Sequence, residues 1–169
     1  GDATGGMQFT HVANYHAGVV LKNILLRWPA KTDLRAIPRV VYADPELAQV
    51  GLTEAAAHAQ DKTVRILRWS LHDNDRARTD DATDGLVKIV ATPRGKILGA
   101  GIAAAHAGEL IQSWTLALNE GLGLAVMARM VAPYPTLGEA GKRAAASFFA
   151  PIVFGARTRR LVRLLARLG

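Results

Sequence analysis

A phenol and a carboxylate stand five residues apart in Ala132-Pro133-Tyr134-Pro135-Thr136-Leu137-Gly138-Glu139. A phenol with a pKa of about 10 keeps its proton at neutral pH, so it donates a hydrogen bond rather than acting as a base. A stiff bend surrounds it. Pro133 and Pro135 each fix their own φ and bias the residue before them away from the α region. The pattern predicts an extended Tyr134 and a helix over residues 137–149. Thr136 would cap that helix with Glu139 at its third position, the spacing of a capping box.

The elements that must hold this bend follow from periodicity. Residues 8 to about 27 place Phe9, Val12, Ala13, Val19, Val20, Ile24 and Leu25 at three- and four-residue steps, which predicts a helix that Trp28-Pro29 ends. Residues 31–36 are polar and form a linker. Strands are predicted over 39–43, 48–52 and 63–71, with Thr53 capping a short helix through Gln60. Residues 72–84 form a charged loop. Strands over 85–92 and 96–103 flank Pro93-Arg94-Gly95, a hairpin signal. Helices follow over 107–120, closed by Gly121 and Gly123, then over 124–130, and again over 157–168 after the interruption at Pro151. Strands first and helices later predict an α+β fold, a two-layer antiparallel sheet with helices, over about residues 36–150.

The chain has 169 residues, half of them hydrophobic, enough for one well-buried domain and an appendage. It has no cysteine, which excludes disulfides, thiolate metal sites and a thiol redox centre within these residues. It starts at Gly1 rather than Met, and shows neither a signal peptide nor an apolar run of membrane-spanning length. The expectation is a piece of a longer or processed protein located in the cytoplasm. The histidines show no metal-ligand spacing, and no metal site is expected.

The net charge of +7 is uneven. Residues 1–139 hold 14 Lys and Arg and all 14 Asp and Glu, so the excess sits wholly in residues 140–169. A nucleic-acid surface over the whole domain is therefore not expected. In the tail, Arg157, Arg159, Arg160, Arg163 and Arg167 alternate with Leu161, Val162, Leu164, Leu165 and Leu168. A basic amphipathic helix of this kind suits an anionic membrane surface, or packs its leucines on its own domain or a partner chain.

Four blocks occur in one order. Gly1-Asp2 precede the first helix. Then comes Ile37-Pro38-Arg39-Val40-Val41-Tyr42-Ala43-Asp44-Pro45-Glu46-Leu47-Ala48-Gln49-Val50-Gly51-Leu52-Thr53. The third block joins Gly85-Leu86-Val87-Lys88, Ile97-Leu98-Gly99-Ala100 and Ala107-Gly108-Glu109-Leu110-Ile111. The last is Tyr134-Pro135-Thr136 with Glu139. Together they resemble the C-terminal part of the class-I flavin-dependent pyridine nucleotide-disulfide oxidoreductases, nearest to mercuric-reductase-like and dihydrolipoamide-dehydrogenase-like members. The resemblance covers roughly residues 1–150.

It implies that residues 1–30 end an FAD-binding domain, residues 36–150 form a dimerisation domain, and residues 151–169 are an added basic tail. It implies FAD as cofactor, NAD(P)H as co-substrate and a homodimer, with the redox cysteines and nucleotide-binding units upstream. The isolated piece would then be inactive. Asp2 matches an aspartate that bonds the ribityl chain, and Thr10 a backbone N–H facing the flavin pyrimidine edge, where a helix N-terminus favours negative charge. His11 lies beside that site. Tyr134 and Glu139 match a catalytic pair that reaches the other subunit's active site, which leaves Glu139 either to orient Tyr134 or to cap its helix. In disulfide-reducing members the first of these is usually histidine; mercuric-reductase-like members resemble this chain in carrying tyrosine, but usually end in a cysteine pair that is absent here. The alternative is a non-catalytic homodimerisation module, with membrane contact through residues 156–169.

Overall fold

The computed structural model describes residues 1–60 and 63–166, and it divides the chain into two compact units, Gly1–Ile37 and Pro38–Gly169. In the first, a 3-10 turn at Asp2–Thr4 precedes α1 (Thr10–Leu25). The helix starts two residues later than the periodicity suggests because Phe9 is extended and serves as its N-cap. The expected linker is tied down. Asn23 Nδ2 donates to the Ala30 carbonyl, Ala30 N–H donates back to Asn23 Oδ1, and Asp33 N–H donates to the Tyr15 hydroxyl.

The second unit is built on one antiparallel sheet. Its strands are β1 (Arg39–Val41), β2 (Glu46–Gly51), β3 (Arg65–Ser70), β4 (Leu86–Ala91) and β5 (Ile97–Ala104), in the spatial order β1-β2-β5-β4-β3. Period-two alternation gives the sheet an inner face. Ala48 and Val50 of β2 pair with Ile102 and Ala100 of β5, which pair in turn with Val87 and Ile89 of β4, and all six are buried. The β4–β5 turn forms as expected, with Gly95 at φ +82° and its N–H on the Thr92 carbonyl.

The helices are α2 (Glu54–Ala59), α3 (Asp75–Thr79), α4 (Ala107–Asn119), α5 (Leu124–Arg129), α6 (Gly138–Ser147), α7 (Ala150–Val153) and α8 (Ala156–Leu165). Thr53 caps α2 by accepting from Ala56 N–H. The α4 helix packs on β2 and β5, while α6 packs on β3, β4 and α5. The buried face of α6 is made of Ala140, Gly141, Ala144 and Ala145. These small residues let the helix come close: a Cβ on Gly141 would lie 3.2 Å from the indole nitrogen of buried Trp114. Burying side chains such as Ile102, Ile111 and Leu124 stabilises the unit by about 1.5–3 kcal/mol each. The fold is the expected α+β arrangement.

Three local expectations change. The charged loop contains structure, a 3-10 turn at Leu71–Asp73 followed by α3. The bend at Tyr134 includes a cis peptide to Pro135. The capping box does not form, because α6 begins at Gly138 with Leu137 as N-cap, and the Thr136 hydroxyl donates to the Pro133 carbonyl instead. The end of the predicted tail helix, residues 167–169, lies outside the described residues.

Candidate functional site

Asn74 anchors the site. It is 3% exposed, yet both ends of its side-chain amide are used. Oδ1 accepts from Ala77 N–H at 2.9 Å and so caps α3. Nδ2 donates to the Thr136 carbonyl at 3.0 Å. One buried amide thereby pins the first turn of α3 to the proline bend. Asp75, the first residue of α3, is delivered to Tyr134, whose hydroxyl donates to Asp75 Oδ2 at 2.8 Å. The Tyr134 ring is 68% exposed, so only its hydroxyl is held.

The electrostatics follow from that bond. The Asp75 carboxylate raises the phenol above its ordinary pKa, first by accepting its hydrogen bond and then by its charge, and Glu139 adds a smaller push in the same direction. The phenol is neutral at any physiological pH, and its only proton is committed to Asp75. Its oxygen still carries lone pairs that can accept. The sequence alone suggests a donor; the structure turns the outward character of Tyr134 to acceptor.

Glu139 takes neither of the roles left open for it. It accepts from Arg143 one helical turn along, at 3.0 Å from Nε and within 2.8 Å of the other guanidinium nitrogen. The same guanidinium lies 6.0 Å from the centre of the Trp69 ring. Glu139 therefore holds the Arg143 side chain that lies over Trp69 of β3, and it acts on the phenol through its charge. Neither Asp75 nor Asn74 stands out in the sequence as a site residue, although Asn followed by Asp is itself a helix-start signal.

The glutamate of the Asp44-Pro45-Glu46 block also has a structural job. The α4 N-cap, His106, sits at φ +59° and makes no side-chain cap, and Glu46 Oε2 accepts from Gly108 N–H at 2.9 Å in its place.

The first unit carries the predicted cofactor residues. Asp2 is exposed in the opening 3-10 turn. Thr10 is the first residue of α1, whose first turn has neither a side-chain cap nor an acidic residue. The His11 ring stacks on Phe9 at 5.2 Å between centroids, which suits a packing role. An uncapped, acid-free helix start and an exposed carboxylate in one small unit fit a cofactor that presents an electron-rich edge and hydroxyl groups.

Residues 37–145 match the family described as pyridine nucleotide-disulphide oxidoreductase, dimerisation domain. The chain belongs to this family. It is 38% identical over 149 residues to a mercuric reductase of Staphylococcus aureus, covering 88% of this chain and 27% of that protein. It is 34% identical over 146 residues to a dihydrolipoyl dehydrogenase of Bacillus subtilis, covering 86% and 31%. Among solved structures, LpdA from Mycobacterium tuberculosis superposes with a TM-score of 0.82 at 27% identity, covering 87% of this chain and 32% of that one. The Cu(II) complex of the HOCl-induced flavoprotein disulfide reductase RclA from Escherichia coli gives 0.81 at 25% identity, covering 87% and 34%. The chain thus spans about a third or less of the proteins it matches.

Proposed function

We propose that this chain is the C-terminal portion of an FAD-dependent, NAD(P)H-linked oxidoreductase of the disulfide- and mercuric-reductase-like kind, working as a homodimer. The observation that carries the reading is the exposed Tyr134 ring, held at its hydroxyl by Asp75 and otherwise open to a partner. A two-fold dimer brings each surface patch onto its own copy, so a side chain displayed this way on one subunit can complete a site on the other. Val131, Leu116 and Tyr42 are further large apolar side chains left exposed on the same unit.

In this reading Asp2 would accept hydrogen bonds from the cofactor's hydroxyl groups, and the first turn of α1 at Thr10 would hold its electron-rich edge. The flavin, when bound, supplies the relay of electrons from NAD(P)H to the acceptor. Tyr134 positions the acceptor. Its lone pairs accept from a proton-bearing group or approach a cationic one, while the bond to Asp75 restrains the swing of the side chain. With no cysteine in these residues, a dithiol would come from elsewhere in the full protein, and the isolated piece would turn over nothing.

The test is Tyr134→Phe in the full-length flavoprotein, with the two half-reactions followed separately by stopped-flow. Flavin reduction by NAD(P)H should keep its wild-type rate, and electron transfer to the acceptor should slow by about tenfold or more. If neither half-reaction changes, Tyr134 is structural and the reading fails.

A further inference from the structure

We propose that α8, with the exposed apolar residues just before it, lies flat on an anionic membrane surface. The contact would stand whether or not the chain serves a flavin enzyme, because the family match ends at residue 145 and the tail lies beyond it.

The α8 helix runs over Ala156–Leu165 and buries none of its residues. At 100° per residue, Leu161, Val162, Leu164 and Leu165 occupy one side, and Arg159, Arg160 and Arg163 the other. Arg157 alone breaks the division, in the first turn. The four apolar side chains are 54, 58, 56 and 56% exposed. Ile152, Val153 and Phe154, next to the helix, are exposed as well. An amphipathic helix with its apolar stripe uncovered is built for an interface that its own domain does not supply.

Charge selects the occupant. Residues 140–169 hold seven Lys and Arg and no acid. A second copy of the tail would bring like charges together. A nucleic acid would engage the arginines and leave the leucines and Phe154 in water. An anionic bilayer serves both sides at once, with the leucines in the acyl boundary and the guanidinium groups among the headgroups, their stems lying along apolar surface. No helix among the described residues is long and apolar enough to cross a membrane, so the helix lies on the surface. Arginine stays charged at every physiological pH, so the attachment responds to salt and not to pH.

The experiment is flotation of the full chain with vesicles of phosphatidylcholine alone and of phosphatidylcholine with phosphatidylserine. Flotation is expected only with phosphatidylserine, weakened by salt and lost when the chain ends at Gly155. Each arginine near the surface raises partitioning about fivefold, so Arg159→Gln/Arg160→Gln/Arg163→Gln should lower it about a hundredfold. Leu161→Ser/Leu164→Ser/Leu165→Ser, which keeps every charge, should also release the chain. Equal flotation of the full and shortened chains overturns the proposal, as does equal binding to both vesicle types. So does a chain that ignores vesicles but loses self-association in sedimentation when shortened, because the helix would then belong to a partner copy.

Discussion

Tyr134 and Asp75 lie 59 positions apart in the chain and meet through a 2.8 Å hydrogen bond from phenol to carboxylate. The bond fixes an otherwise exposed ring without burying it. It also decides which way the phenol's proton points, and so whether Tyr134 faces its surroundings as donor or acceptor.

Removing the carboxylate charge should release the phenol. Asp75→Asn is expected to lower the Tyr134 pKa toward the ordinary tyrosine value, because Asp75 is the largest cause of its rise. The chain has three tyrosines, so the difference between the ultraviolet titrations of each form and its Tyr134→Phe counterpart isolates this one. The linkage has a definite sign. A phenol with a raised folded-state pKa contributes stability that is fully present below its unfolded value of about 10 and is lost as pH rises through the folded value. The stability difference between wild type and Asp75→Asn should therefore shrink on the alkaline side. An unchanged titration would mean that the bond does not persist in solution.

Asn74→Ala should be costly for its size. It removes the cap of α3 and leaves the Thr136 carbonyl without its amide partner. The expected loss is about 2–3 kcal/mol, read as a lower urea midpoint at an unchanged m-value. The nearby Asp73→Ala removes neither bond and should fall within about 0.5 kcal/mol of wild type.

Much of this architecture was legible because local signals and burial agreed. The hairpin at Pro93-Arg94-Gly95, the Thr53 cap and the alternation through Val87 and Ile89 each point to the element that forms. The bend was only half legible. Two prolines announced it, but its anchor is Asn74, whose bond to Thr136 spans 62 residues and leaves no periodic trace. The capping box misled for a related reason. Thr136 and Glu139 have the right spacing, but the helix starts one residue later, and each side chain has a better partner, the Pro133 carbonyl and Arg143. The segment over residues 72–84 looked merely solvated because its charges hid an Asn-Asp helix start.

Gly51 is the backbone constraint inside the block that carries the family resemblance. It sits at φ +68°, and a Cβ there would lie 2.5 Å from the Leu98 carbonyl oxygen. Gly51→Ala combines a left-handed strain with a backbone clash that no rotamer relieves, and should cost at least about 2 kcal/mol. Thermal unfolding measures it. A loss below about 0.5 kcal/mol, the scale of a neutral surface change, would contradict this packing of β2 on β5.

Mixed dimers of the full-length protein decide whether Tyr134 serves the opposite subunit. One subunit carries Tyr134→Phe, and the other has the redox dithiol that the proposed function requires inactivated. If Tyr134 serves the opposite subunit, the mixed dimer contains one intact site, and activity returns to about half that of wild type. If mixing restores nothing beyond the two parental activities, Tyr134 acts within its own subunit or not at all, and the account is contradicted.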